Sequence, residues 1–271
     1  MPTGNADERL STQEYWDEVL RNARLPRVNS PQSYLYKVTM DFVHKHISGG
    51  NYSSFLEVGC GSSGWLPYFA KRYGLSISGI DYSEIGCQLA EKNLQMLNIP
   101  YEDIFCRDLF APNATEGKKY DIVFSYGVIE HFDQPENVVK ILSGFTNDNG
   151  LIITLVPNLT GLAGLMTKRY MPDVYAIHNV FDASMLRKIH DENKLEILAN
   201  GYAGMFSIGV MPLHKANKGI LKKASIGRSV SMFILKSYDK IATTLFKLLP
   251  IRISSRFLSP YVICVARKKT T

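Results

Sequence analysis

Apolar and polar positions along this chain switch repeatedly between helical and strand periods. Ser11-Thr12-Gln13-Glu14 has the Ser-x-x-Glu form of a capping box, which predicts a helix through Arg24. Ser30-Pro31 repeats a start signal, with proline at the first helical position, and predicts a second helix to His46. Ser53–Val58 is the first strong strand pattern and runs into a glycine-rich turn. Further strands are expected at Leu75–Ile80, Tyr101–Cys106, Tyr120–Phe124 and Leu151–Val156. Helices are expected at Trp65–Tyr73, Ser83–Leu97 and Pro135–Phe145. Asn147-Asp148-Asn149-Gly150 reads as a tight turn into the fifth strand. Such alternation implies an α/β fold, doubly wound, with helices on both faces of a mostly parallel sheet.

Beyond Val156 the pattern loosens, and Pro157–Val180 reads as a loop. A helix at Asp182–Glu192 and an extended segment at Leu195–Ala199 follow. Residues 217–249 read as mostly helix, and Ser259–Arg267 as a final β-rich strand. Met232–Leu249 places apolar residues at 234, 235, 238, 241, 242, 245, 246 and 249, an amphipathic helical stripe beside Lys236, Lys240 and Lys247. Three segments result: 1–50, a helical N-terminal part; 51–200, an α/β core; and 201–271, a C-terminal part that completes the sheet and carries a basic amphipathic helix.

The 271 residues, 45% hydrophobic and 21% charged, suffice for a sizeable core without staples. Cys60, Cys87, Cys106 and Cys264 are dispersed and form no metal-ligand spacing with histidine, so free thiols and no metal are expected. The first residues lack a basic start followed by an apolar run, and Leu151–Met166 is interrupted and too short to span a bilayer. A cytoplasmic protein is expected. The net charge of +6 is uneven: from His214 onward there are thirteen Lys and Arg against one acid, Asp239. That end suits a solvated helix face, a membrane-surface contact or an anionic acceptor.

Leu56-Glu57-Val58-Gly59-Cys60-Gly61-Ser62-Ser63-Gly64 turns from strand into helix. Alone, G-x-G-x-x-G fits a dinucleotide site or a packing turn equally. Glu57 is expected at the end of a buried strand, where a carboxylate needs a partner. Asp81 stands at the tip of the second strand, where it can accept hydrogen bonds from ribose hydroxyls or simply cap the following helix.

Leu56–Gly64 resembles motif I of class I S-adenosylmethionine (SAM)-dependent methyltransferases, and Gly79-Ile80-Asp81-Tyr82-Ser83 resembles their second motif. Cys106-Arg107-Asp108-Leu109-Phe110 and Tyr120–Phe132 are similar to the third and fourth. The resemblance implies a Rossmann-like, seven-stranded sheet with an antiparallel last strand, covered by the N-terminal helices as a lid. It implies SAM as cofactor, with Glu57, Gly59, Cys60, Gly61 and Gly64 in the glycine loop, and Asp81 and Tyr82 at the ribose. Asp108 and Leu109 are then expected at the adenine, and Ser125, Tyr126 and Gly127 toward the methionine part. Ser62-Ser63 lengthens the tightest form of motif I by one residue.

The implied chemistry is in-line transfer of the sulfonium methyl to a nucleophile, and a hydroxyl acceptor also needs a base. His131, after the fourth strand, is the first candidate base, and His178 in the post-strand-five loop the second; the plain alternatives are that Glu130 and His131 begin the next helix and satisfy each other, and that His178 is a solvated surface histidine. Tyr15, Trp16, Tyr34 and Tyr36 are read as core packing before acceptor contacts. Ser125-Tyr126-Gly127-Val128 lacks the [Asn/Asp]-Pro-Pro-aromatic motif of enzymes acting on base amino groups, and there is no RRM or KH signature. The favoured expectation is methyl transfer to a hydroxyl of a sugar or natural-product-type small molecule, anionic or sugar-linked, with nucleic acid disfavoured. The alternatives are an RNA methyltransferase, a SAM-binding scaffold without transfer, and a nicotinamide-dependent dehydrogenase.

Overall fold

The structure, a computed structural model, describes residues 9–30, 34–204, 244 and 254–270. In chain order its elements begin with α1 (Gln13–Leu20), α2 (Tyr34–Ile47), β1 (Ser54–Val58), α3 (Trp65–Tyr73), β2 (Ser76–Asp81) and α4 (Glu84–Met96). They continue with β3 (Ile104–Cys106), β4 (Tyr120–Tyr126), α5 (Pro135–Phe145), β5 (Thr146–Pro157), α6 (Leu162–Tyr170) and α7 (Pro172–Ala176). The last three are α8 (Ala183–Glu192), β6 (Glu196–Ala203) and β7 (Tyr261–Arg267). A short 3₁₀ turn at Ile129–His131 follows β4.

The seven strands form one sheet in the order β3-β2-β1-β4-β5-β7-β6. Strands β1 to β5 pair in parallel, and β7 runs antiparallel to both β5 and β6. Period-2 alternation distributes the strand residues to two cores. Phe55, Ile122 and Phe124 face α2, α3 and α4 with Met40, Trp65, Phe69 and Leu94. Leu56, Val58, Val123 and Ile152 face the other way, against Val138 and Leu142 of α5 and Leu186 of α8. The parallel sheet, with helices on both faces and an antiparallel β7, agrees with the expected fold.

Four local expectations are corrected. Thr12, not Ser11, caps α1, accepting from the Tyr15 N–H, while the Ser11 hydroxyl accepts from Trp16 Nε1 at 2.9 Å. The helix ends at Leu20 and not near Arg24. Asn147–Gly150 belongs to β5 itself, where Asn149 adopts φ 63° beside the register shift between Tyr120 and Ile122. Residues 157–180 are not a loop: they fold into α6 and α7, the latter opened by Pro172 at a first-turn position. The expected helix over 217–249 and its basic stripe at 232–249 lie outside the described residues, Thr244 excepted. Among the described residues no helix is long and apolar enough to cross a membrane.

Candidate functional site

At the carboxyl ends of β1, β2 and β4 the sheet opens into a cavity of about 580 Å³, within the usual range for a small-molecule site. The β1 turn forms its floor. Gly59 sits at φ +72°, and a Cβ there would stand 2.5 Å from Val128 Cγ2, so the loop can pass this close to the β4 turn only without a side chain. The Gly59 N–H donates to the Ile80 carbonyl at 2.8 Å, tying the loop to β2. Gly64 is required for a different reason: its Cβ would meet Asn29 Oδ1 at 2.7 Å and Asn29 N at 2.8 Å. The segment after α1 therefore lies directly on the glycine loop, with the Asn29 N–H donating to the Gly64 carbonyl.

Asp81, at the tip of β2, accepts from the Gly61 N–H and the Ser83 N–H, each at 2.9 Å. Burial raises its pKa against these N–H donors. A carboxylate can accept about four hydrogen bonds, so two more remain open to a diol. Ser83, rather than Asp81, caps α4; its hydroxyl also donates to Asp17 of α1. Glu57 is 1% exposed, and burial pushes its pKa to about 8 against the Ser63 hydroxyl, the Leu66 N–H and Arg27. Among the described residues its Oε2 has no hydrogen-bond partner.

The sign of this shift is testable. A carboxyl with its folded pKa raised from 4.5 to about 8 keeps a proton that the unfolded chain has already lost. The stability it contributes is fully present below 4.5 and is lost as pH rises through 8. Urea denaturation of the ligand-free protein between about pH 5 and pH 8 should show Glu57→Gln losing less stability than the parent. Parallel curves for the two proteins would mean that Glu57 is ionised in the fold.

Past β4, Glu130, His131 and His178 come together. The His131 Nδ1–H donates to the Ile177 carbonyl at 2.7 Å and the His178 Nδ1–H to the Val174 carbonyl at 2.6 Å. Both rings then keep a lone pair on Nε2, because a carbonyl only accepts. Their centroids are 4.3 Å apart, and Trp16 of α1 packs edge-on against His131 at 5.0 Å. Burial and the neighbouring His178 drive His131 down to about 3, and burial lowers His178, so both are neutral near pH 7. Burial pushes Glu130 up to about 8. Its Oε1 lies 3.8 Å from His131 Nε2, too far for a hydrogen bond, and its Oε2 has no hydrogen-bond partner among the described residues. Glu130 and His131 therefore do not simply satisfy each other.

The cavity is lined by Glu57, Gly59, Cys60, Gly61, Gly64, Asp81, Tyr82, Leu109, Tyr126, Gly127, His131 and His178 from the sequence expectation. Two expected residues are not among its lining. Ser125 is fully buried within β4. Asp108 accepts at Oδ1 from Arg9 at 2.5 Å and from the Phe110 N–H at 2.9 Å, and so is engaged by the N-terminal segment. That Arg9 guanidinium also stacks over Tyr82 at 4.9 Å and Phe132 at 5.3 Å. Tyr15, Trp16 and Tyr36 line the cavity, which gives these aromatics a wall role as well as a packing one. Sequence reasoning missed Arg9, Arg27, Asn29, Glu130, Thr167 and Tyr261 as lining residues. Only Glu130 had a signal, its place beside His131; the others reach the site through contacts between distant parts of the chain.

A family model described as "Methyltransferase domain" matches residues 11–200. Among curated proteins, a mitochondrial ubiquinone biosynthesis O-methyltransferase of Arabidopsis thaliana is 30% identical over 106 residues, 39% of this chain and 33% of that protein. A ubiquinone biosynthesis O-methyltransferase of Glaesserella parasuis is 24% identical over 139 residues, 50% of this chain and 58% of the relative. The chain thus spans less than two thirds of each of these two relatives. Among solved structures, the plantazolicin methyltransferase BpumL in complex with SAH aligns over 94% of this chain and 90% of its own, with TM-score 0.55 and 17% identity. The [4+2]-cyclase SpnF aligns over 100% and 99%, with TM-score 0.57 and 14% identity. At such identities these likenesses show the fold alone.

Proposed function

Because this chain belongs to the methyltransferase-domain family, we propose that it uses S-adenosylmethionine to methylate a hydroxyl of a small, largely apolar acceptor. The observation carrying the cofactor reading is the β1–β2 pair of acceptors. Glu57 ends β1 with a buried, unpartnered oxygen, and Asp81 ends β2 with lone pairs to spare, one on each side of the glycine loop. In this reading Glu57 and Gly127 hold the amino-acid part, Asp81 and Tyr82 the ribose, and Leu109 flanks the base. Residues 1–50 act as the lid, 51–200 hold the cofactor, and 201–271 complete the sheet.

The bound cofactor would supply a methyl group on an electrophilic sulfonium. The chain's own residues must align the acceptor, exclude water and receive its proton. Trp16, Tyr15, Val174 and Leu159 give the acceptor end an apolar, aromatic wall. That wall suits a ring better than a sugar. The curated relatives are named as O-methyltransferases of ubiquinone biosynthesis, which supports a hydroxyl on an aromatic ring over the sugar hydroxyl expected from sequence. With the cofactor supplying the methyl group, the Glu130, His131 and His178 cluster would receive the proton that the acceptor hydroxyl gives up.

The cofactor reading is tested by thermal melting with SAM, S-adenosylhomocysteine and NAD, each at about 100 times its dissociation constant. A bound ligand should add about 2.7 kcal/mol. Stabilisation by the two sulfur ligands and not by NAD is expected. Stabilisation by NAD alone would favour the dehydrogenase alternative, and no shift with any of the three would favour a scaffold.

A further inference from the structure

We propose that Glu130, His131 and His178 form a binding site for one divalent transition-metal cation at the acceptor end of the cavity. One ligand atom from each of these side chains lies within 4.8 Å of those from the other two. The imidazole tautomers are already the metal-binding ones. Each Nδ1–H is held by a backbone carbonyl, Ile177 or Val174, which leaves Nε2 as the donor atom. Carbonyl support of the far nitrogen is how metal-bound imidazoles are commonly oriented.

His190 provides an internal comparison. Its Nδ1–H donates to the Leu186 carbonyl at 2.8 Å in the same way, but its Nε2 is paired with the Thr154 hydroxyl at 2.9 Å. It is a closed, structural histidine. At His131, Nε2 faces Glu130 Oε1 at 3.8 Å, with no hydrogen bond closed between them. Glu130 Oε2 is buried without a hydrogen-bond partner among the described residues. Two imidazole lone pairs and a buried carboxyl group converge where a positive charge would satisfy all three.

Two imidazole nitrogens and one carboxylate oxygen suit zinc, cobalt or ferrous iron better than magnesium or calcium, which favour all-oxygen shells. Metal–ligand distances of about 2.0–2.2 Å require the side chains to draw together by on the order of 1 Å. Three protein ligands leave at least one coordination position open, toward the cavity. A hydroxyl of the acceptor bound there would lose its proton to solvent at a lower pH than it does free. The chain positions are too dispersed for a sequence signal: His131 closes the 3₁₀ turn after β4, and His178 follows α7. The expectation of no metal rested on cysteine and histidine spacing, which does not register such a convergence.

This inference rests on the same cluster as the proton-accepting role proposed above, and the two can be separated. The full chain is stripped with a chelator and titrated calorimetrically with Zn²⁺ and with Co²⁺, in the absence of cofactor. We expect one ion per chain, bound about tenfold or more weaker by Glu130→Gln and by His178→Ala. The Co²⁺ spectrum should lack the thiolate charge-transfer absorption that would mark binding at a cysteine. Thermal melting of the ion-free variants checks that each is folded, and His131→Gln stands in for either if it is not. The proposal is overturned by no saturable uptake, or by uptake that the variants leave unchanged. Turnover that survives stripping at its full rate overturns it too, leaving the cluster as a base. The titration needs no cofactor, so ion uptake is measured independently of whether SAM binds.

Discussion

Asp81→Ala is expected to weaken SAM binding by about 100-fold, a loss of about 2.8 kcal/mol, with the sheet intact. Two charge-assisted hydrogen bonds to ribose hydroxyls, at about 1.5–3 kcal/mol each, set that scale from above. The same carboxylate anchors the Gly61 and Ser83 N–H groups, so its removal also loosens the glycine loop. The fold should tolerate the change, because burial opposes the ionised carboxyl. Calorimetric titration measures the affinity, and melting of the ligand-free variant checks the fold. Asp81→Asn separates shape from charge: it keeps one acceptor oxygen and should recover part of the loss. An unchanged dissociation constant in Asp81→Ala would remove this residue from the ribose role and return it to the loop-anchoring one.

His131→Ala is expected to lower turnover by about 10²–10⁴-fold while SAM still binds. The ring lies at the acceptor end, with its Nε2 free and its orientation fixed by the Ile177 carbonyl. A pKa near 3 makes His131 alone a weak proton acceptor. Glu130, at about 8, is the stronger base, so the pH profile should follow Glu130. In the ion-free protein, turnover should therefore rise through about pH 8, and Glu130→Gln should abolish that rise. Normal turnover in His131→Ala would remove it from the chemistry and leave it as a wall of the cavity beside Trp16.

The sheet and the glycine loop were legible in the sequence because both are written in short-range patterns. Phe55 and Leu56 alternate between two cores, and Gly59 and Asp81 stand at fixed offsets from their strands. What could not be read are contacts between remote segments. Arg9 reaches Asp108 across a sequence separation of 99 residues, and this pairing keeps Asp108 from the cavity wall. Asn29 sets the need for glycine at 64 although the loop pattern alone explains that glycine differently. Residues 157–180 hid two helices because both are short, nine and five residues, and the apolar pattern over them is too brief to register a helical period. Glu130 was passed over because an acid next to a histidine reads as a local pair, and only the 3.8 Å separation shows that it is not one.

The position of β7 has a consequence for how the chain is made. This strand is inserted between β5 and β6, although residues 261–267 are synthesised long after both. Until they leave the ribosome, Thr146–Pro157 has no neighbour on one side, and its apolar run Leu151–Val156 presents a naked template for another chain. The cofactor-binding half can pair its own strands early, but the sheet is sealed only by a late, long-range insertion that carries a large loop-closure cost. Nascent chains stalled before Tyr261 should be the species that recruits chaperones or aggregates.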